Sequence, residues 1–420
     1  MIKVLNISTK DIKGGAAIAA YRLHRGLCTV EVDSKMLVQE KTCDEFKIIG
    51  PDTNYKKIKA IIRPFIDTLI SNQKLEKKEN RALFSSAWVP LSGIAEKINI
   101  LNPDIVHLHW IAGGMIRIEE IAKIESPIVW SLHDMWAFTG GCHYSNNCNK
   151  YIRHCYKCPV IDSKRIYDQS FRIFKRKDKT FSKINNLTIV GLSSWIASCA
   201  KESMLFHDKR VINLPNLIDT KYFKPMDKKI ARELLNLPNH KNLILYGAMN
   251  ATSDPRKGFR ELASALYKIK GKNIELVVFG SNRPPNAPYF GFPTHYLGRF
   301  NDDISLMVLY NSADIMIVPS LQENLSNVIM ESLACSTPVV AFNIGGNSDL
   351  IEHKQNGYLA EPYKTSDLAK GVEWILRYPK PQELKENARK KIVDFFEMQK
   401  VSNRYKALYE EILNRASCTI

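Results

Sequence analysis

The sequence predicts an α/β protein of two Rossmann-like halves, on three observations. Short apolar runs of strand length, such as Lys3–Ser8, Pro103–Trp110 and Ser126–Trp136, alternate with segments whose apolar residues recur at helical spacing. The same alternation begins again near residue 216 and continues through Asn242–Asn250, Ile274–Ser281 and Ala313–Ser320. A chain of 420 residues is also long enough for two domains, each with its own core. The expected boundaries are 1–215 for a first domain, with a cysteine-rich insertion at 139–160, then 216–395 for a second, and 396–420 for a closing helix.

Composition narrows the class. No stretch of 18 apolar residues occurs, and MIKVLNIS reads as a short strand, not as a charged segment followed by an apolar one. The expectation is a cytoplasmic protein without a membrane span. The formal charge of +17 attracts polyanions, namely nucleic acid, anionic lipid or phosphorylated ligands, without choosing among them.

In chain order, the first strand runs into Gly14-Gly15 and then AAIAAYRLHRGL, a helix pattern. Glycines there let a ligand approach the backbone and aim helix-start N–H groups at an anion, although a plain turn is the equal alternative. Residues 54–84 interleave Lys56, Lys57, Lys59, Arg63, Lys74, Lys77, Lys78 and Arg81 with Ile58, Ile61, Ile62, Phe65, Ile66, Leu69 and Ile70. A second basic run, 164–183, sets Arg172, Lys175, Arg176, Lys177 and Lys179 beside Phe171 and Phe174. Such runs are solvated faces or attach a protein to an anionic membrane surface.

The strands at 103–110 and 126–136 each end in a histidine-containing loop at what should be the carboxyl edge of a parallel sheet. His133, next to Asp134, is either a satisfied loop pair or a group that meets a sugar hydroxyl. Cys142, Cys148, Cys155 and Cys158 follow in a C-x5-C-x6-C-x2-C arrangement. Four thiols so close in a reducing compartment favour a tetrahedral zinc site over disulfides; an iron–sulfur cluster and unligated thiols are the alternatives. Further on, Arg256 and Lys257 stand at a helix start after a strand, where cations and free N–H groups suit a diphosphate.

The stretch Val318–Gly346 reads as strand, loop, helix, strand and glycine turn. Glu323 lies at the helix entrance and Glu331 eight residues on, about 12 Å along the axis at ~1.5 Å per residue. Two acids so placed can touch two points of one elongated ligand. The bland alternative is an acid at the positive end of a helix followed by a solvated one.

This E-x7-E arrangement resembles the signature of the retaining nucleotide-sugar glycosyltransferases of family 4, in the two-lobed GT-B class. Pro215, Asn216, Asp219 and Phe223 match that family's interlobe pattern, with Leu217 in place of a glycine. The HDMW…TGGCHY segment is similar to a subgroup that assembles bacterial surface polysaccharide. The resemblance implies two Rossmann-like lobes facing a central cleft, with the last helix crossing back to the first lobe. It implies transfer of a sugar from a nucleotide-diphosphate sugar, UDP or GDP, to a hydroxyl of a glycan or lipid-linked glycan acceptor, with retention and no catalytic metal. Glu323 then meets donor-sugar hydroxyls and Glu331 the ribose; Asn324, Leu325 and Ser326 belong to the same donor loop. His133 lies beside the donor sugar, Arg256 and Lys257 at the diphosphate, Arg299 near the base, and Gly14 and Gly15 at the diphosphate or the acceptor. The sequence departs from the pattern at Ser326-Asn327, at Ser336, and at Ala248, where relatives carry an arginine. Expected partners are the donor, the acceptor and an anionic membrane on its inner face, not nucleic acid. Two other functions compete: a nucleotide-sugar epimerase on the same fold, and a zinc-bearing nucleic-acid binder, which lacks a nucleic-acid module and leaves the two glutamates unexplained.

Overall fold

The computed structural model of the chain describes residues 1–71, 83–90, 92–247, 251–269, 273–283 and 289–417. Lys74, Lys77, Lys78, Arg81, Ala248 and Cys418 lie outside the described residues. The chain divides into two compact units, Met1–Leu217 with Gln399–Ile420, and Ile218–Met398.

The first unit is built on a seven-stranded sheet. Its strands are β1 (Lys3–Lys10), β2 (Asp33–Glu40), β3 (Ile48–Ile49), β4 (Ile105–Leu108), β5 (Ile128–Leu132), β6 (Leu187–Gly191) and β7 (Arg210–Asn213). They lie in the order β3-β2-β1-β4-β5-β6-β7. All pair in parallel. Strands β4, β5 and β6 are buried throughout, which is why they read as unbroken apolar runs and not as alternating ones. Helices cover the sheet, among them Gly15–Cys28, Asn54–Ile70 and Gln169–Phe181. The last helix, Met398–Ser417, packs into this unit through Val401, Tyr405, Leu408 and Tyr409. The Tyr409 hydroxyl lies 2.7 Å from His107 Nδ1 inside β4.

The second unit repeats the plan with β8 (Asn242–Gly247), β9 (Ile274–Phe279), β10 (Thr294–Tyr296), β11 (Ile315–Val318), β12 (Val339–Phe342) and β13 (Gly357–Ala360). Their order is β10-β9-β8-β11-β12-β13, again all parallel. Both units are thus doubly wound. The strand order reverses between β1 and β4 in one and between β8 and β11 in the other. In open parallel sheets ligands bind outside the carboxyl ends of the strands at such reversals.

The two basic runs come to different ends. In the helix Gln169–Phe181, Ile173, Phe174 and Phe181 are core residues and Lys177 is fully buried. Arg176 donates to Glu119 and to the carbonyls of Ser86 and Ala87. The second run is therefore a covering helix whose inner face joins the core, while Arg172, Lys175 and Lys179 stay exposed on its outer face. The helix Asn54–Ile70 faces the other way. Arg63 anchors it through the carbonyls of Gly114, Val89 and Pro90, and Asp67 accepts from Ser86. Its apolar residues Tyr55, Ile58, Ile61, Phe65 and Leu69 are left exposed.

Candidate active site

In the second unit, the site residues gather where β8 and β11 diverge. After β8 the chain makes a short 3-10 turn, Pro255–Lys257, and enters the helix Phe259–Leu266 through Gly258. After β11 it passes Pro319 and Glu323 into the helix Asn327–Ala334. The two loops are tied together: Leu321 N–H donates to the Arg256 carbonyl at 2.8 Å, and Lys257 Nζ to Glu323 Oε2 at 3.0 Å. Gly258 has φ +70°, and a Cβ there would stand 1.8 Å from the Pro319 carbonyl oxygen. Only glycine lets the loops meet. Arg256 pairs with Asp254, its Nη2 lying 2.7 Å from Oδ2.

Glu323 is half-buried, whereas Asn324, Leu325 and Ser326 are buried behind it. Ser326 caps the helix with no side-chain hydrogen bond to its first N–H groups. Glu331 is only 4% exposed and accepts from the Tyr310 hydroxyl at 2.7 Å. The solvated-residue alternative therefore fails for Glu331. A buried carboxylate is costly unless hydrogen-bonded, and Tyr310 supplies the bond. Arg299 is exposed and follows Gly298, just past β10.

In the first unit, Gly14, with φ 104°, opens the helix Gly15–Cys28 and makes no side-chain cap. The preceding loop is fixed by Asp11, whose carboxylate accepts from the backbone N–H groups of Ile12, Thr42 and Cys43 and from the Thr42 hydroxyl. Hydrogen bonds to the charged form outweigh burial and hold this carboxyl below its ordinary value. His133 and Asp134 are not a pair. Asp134 accepts from His143 Nδ1 at 2.6 Å, Trp110 Nε1 at 2.9 Å and the Trp136 N–H at 2.8 Å, so it fastens the TGGCHY segment. His133 instead lies 3.1 Å from His109 Nδ1 through its Nε2. Burial pushes the His133 imidazole down to about 4 and that of His109 well below its usual range, so both are neutral at pH 7.

Cys142, Cys148, Cys155 and Cys158, which make up a cysteine knob in the insertion at 139–160, share one hollow with Thr139 and Tyr151, and all four are free thiols. Among the described residues, no three His, Cys, Asp or Glu side chains form a group placed to hold a metal ion. The expected closed tetrahedral arrangement is therefore not present as the side chains stand. Cys155 Sγ accepts from the Gly140 N–H at 3.2 Å. Below the hollow, Lys177 Nζ donates to the carbonyls of Trp136 and Thr139 and lies 3.9 Å from the Trp136 ring centroid.

Comparison with known proteins agrees with this geometry. Residues 240–378 match the family model described as "Glycosyl transferases group 1". An uncharacterized glycosyltransferase of Methanocaldococcus jannaschii is 30% identical over 302 residues, 67% of this chain and 69% of its own length. The chain belongs to the group 1 glycosyltransferases. A second relative, named as the colanic acid biosynthesis glycosyl transferase WcaC of Escherichia coli K12, is 24% identical over 65% of this chain and 67% of its own. Among solved structures, the Anabaena HepE protein in complex with UDP-glucose superposes with a TM-score of 0.65 over 98% of this chain and 100% of that one, at 16% identity. The fold is thus that of the GT-B glycosyltransferases.

Sequence reasoning singled out the glycosyltransferase's acidic pair, the Arg-Lys turn and His133. It missed His109, Tyr310, Asp254 and Asp11. The second histidine of HLHW was visible, but nothing in its spacing tells a core histidine from a partner of His133.

Proposed function

We propose that this glycosyltransferase moves a sugar, with retention, from a nucleotide-diphosphate sugar to a hydroxyl of a glycan or lipid-linked glycan in bacterial surface polysaccharide assembly. The observation that carries the reading is the Lys257–Glu323 contact across the β8–β11 reversal, with the helix that Ser326 opens starting just behind it. Glu323 orients donor-sugar hydroxyls. Lys257, helped by Arg256 and the helix-start N–H groups, offsets the charge that develops on the departing diphosphate, the dominant electrostatic contribution in such chemistry. Glu331, held by Tyr310, receives the ribose, and Arg299 lies towards the base. The acceptor hydroxyl attacks from the face the diphosphate leaves, with a phosphate oxygen taking its proton. His133 offers a nitrogen to a sugar hydroxyl, and Gly14 and Gly15 let the diphosphate or the acceptor come close to the backbone. UDP as the donor nucleotide takes support from the HepE complex, with GDP the alternative, and the polysaccharide role takes support from the name of the E. coli relative.

The test is a screen of nucleotide sugars by calorimetry, followed by NMR of the product. An α-linked product from an α-linked donor supports the reading. Inversion refutes the retaining chemistry, and epimerised donor without transfer supports the epimerase alternative.

The proposal extends to an anionic membrane surface as the place of the acceptor. No helix among the described residues is long and apolar enough to cross a membrane. What supports surface attachment is the helix Asn54–Ile70, whose Ile61 and Phe65 are 75% and 65% exposed beside Lys57 and Lys59. Such a face dips its apolar residues into the headgroup boundary while each cation adds about 1 kcal/mol. Co-sedimentation with anionic vesicles should fall to the level of neutral vesicles in Ile61→Ser/Phe65→Ser; unchanged binding refutes the surface.

The proposal includes a structural zinc ion on Cys142, Cys148, Cys155 and Cys158, which requires the four sulfurs to draw inward. The support is electrostatic: a four-thiolate zinc is dianionic, and Lys177, whose ammonium burial pushes down to about 7 and which meets only carbonyls and an indole face among the described residues, would gain a counter-charge from it.

A further inference from the structure

A line of buried polar groups crosses the first unit from His133 to Glu45, and each contact admits only one direction of donation. Asn6, in β1, places Nδ2 2.9 Å from Ser34 Oγ and 3.3 Å from the Lys35 carbonyl oxygen. A carbonyl only accepts, so that atom is the amide NH2 and Oδ1 faces the other way. Oδ1 lies 3.1 Å from His109 Nε2, which must therefore carry the proton. His109 is 3% exposed and neutral, with a single N–H, so its Nδ1 is bare. That bare nitrogen meets His133 Nε2, which then has to donate.

The line continues in the same sense on the far side. The Glu45 carboxylate at the far end only accepts, so His24, kept neutral by burial, carries its proton on Nε2, and its bare Nδ1 takes the Ser34 hydroxyl hydrogen at 2.8 Å. His24 Nε2 donates in turn to Glu45 Oε1 at 3.3 Å, and the Tyr21 hydroxyl donates to the other oxygen of that carboxylate at 2.9 Å. His133 and His109 stand just past the ends of β5 and β4, Asn6 and Ser34 lie in β1 and β2, His24 is on the helix between those two strands, and Glu45 comes just before β3.

We propose that Asn6 and His109 are positioning residues that lock His133 as the Nε2–H tautomer, while Ser34, His24 and Glu45 polarise the line behind them. His133 Nδ1 then carries a lone pair, and the residue lines a hollow with Trp110 and Ser131. Among the described residues no protein group donates to Nδ1. Donations that all run one way and end on a carboxylate polarise one another, so the lone pair is a stronger acceptor than that of an isolated imidazole. A nitrogen of this kind takes a hydrogen bond from a hydroxyl and cannot give one. This specifies what His133 would do in the proposed reaction: accept from a sugar hydroxyl, not donate to a ring or phosphate oxygen. That last step rests on the function proposed above; the tautomer does not.

The test uses the full chain labelled with 15N-histidine and long-range proton–nitrogen correlation at pH 7, which separates Nδ1–H, Nε2–H and doubly protonated rings. There are 10 histidines, and His133→Gln identifies its own signal by loss. The expected result is a neutral Nε2–H ring for His133 and the same tautomer for His109. An Nδ1–H or charged His133 in the unmodified protein overturns the proposal without recourse to any variant. Ser34→Ala should leave the His133 tautomer unchanged, because the Lys35 carbonyl still orients Asn6. Asn6→Leu should release His109 and shift His133 towards Nδ1–H, with kcat for transfer reduced about tenfold, the contribution of one hydrogen bond. An unchanged tautomer in folded Asn6→Leu refutes the role of Asn6. If the tautomers are as expected but His133→Gln transfers sugar normally, the positioning stands and the sugar-binding role of His133 is what fails.

Discussion

Replacing Gly258 with alanine tests how the donor-side loops are joined. The residue has φ +70°, a conformation that costs a non-glycine residue about 1–2 kcal/mol. The added Cβ would stand 1.8 Å from the Pro319 carbonyl oxygen and 2.7 Å from its carbon, where ordinary contact begins at 3.4 Å. Backbone must therefore move by roughly 1.6 Å, at the ~1–3 kcal/mol typical of overpacking. Gly291 separates the two contributions. Its φ is +83° but no atom of the described residues lies within 4 Å of its would-be Cβ, so Gly291→Ala carries the backbone cost alone. The expected losses are about 1–2 kcal/mol for Gly291→Ala and ~2–5 kcal/mol for Gly258→Ala. In a unit of this size those correspond to Tm decreases of roughly 2–8 °C and 4–20 °C. Because Pro319 leads into Glu323, Gly258→Ala should also lower transfer in molecules that remain folded. Calorimetric scans of both variants decide the matter; equal Tm decreases would mean that Pro319 does not press on Gly258 and that the joined-loop geometry is wrong.

Other expectations concern neighbouring features. Tyr310→Phe leaves the Glu331 carboxylate buried without its hydroxyl donor, so stability should fall by about 1–3 kcal/mol and nucleotide binding should weaken, as followed by urea unfolding and calorimetric titration. Burial holds His107 down to about 3 and His133 to about 4, so the unfolded chain binds protons below pH 6.5 that the folded chain refuses. Stability contributed by these rings is complete above pH 6.5 and is lost as pH falls towards 4. Each should lower the unfolding free energy by about 1.4 kcal/mol per pH unit, and His107→Gln should remove one such increment from the urea-measured slope. For the knob, metal analysis of the purified protein should find one zinc per chain; no zinc with four titratable thiols would return the cysteines to a plain packing role.

Both sheets were legible because buried parallel strands leave unbroken apolar runs, as in Ile105–Leu108 and Val339–Phe342, and because each run ends in polar loop residues. The turn at Pro255–Gly258 and the helix at Asn327 announced themselves through proline, glycine and a change to helical period. What stayed hidden was pairing. Nothing in the sequence near Glu331 indicates Tyr310, 21 positions earlier, or shows that the His133 ring turns away from Asp134 to His109, because such partners are joined by strand order and not by proximity in the chain. The helix Gln169–Phe181 misled for a related reason. Its lysines read as a solvated or membrane-facing set, and Lys175 and Lys179 are exposed, but Lys177 is swallowed by the carbonyls of Trp136 and Thr139 and by an indole face. Charge runs report composition, and burial depends on what packs above them.

The claim at the centre of this account is that Glu323 acts on the sugar of a nucleotide-diphosphate donor while the diphosphate is held by its neighbours. The most direct measurement sets Glu323→Gln beside the unmodified protein in two readouts, sugar transfer from the donor found by screening and calorimetric affinity for the corresponding nucleoside diphosphate. The account predicts loss of transfer by at least about a hundredfold, in the range seen when a residue that contacts the reacting group is removed, with diphosphate affinity changed by less than about threefold. Transfer at the unmodified rate, or affinity lost in step with transfer, would contradict it.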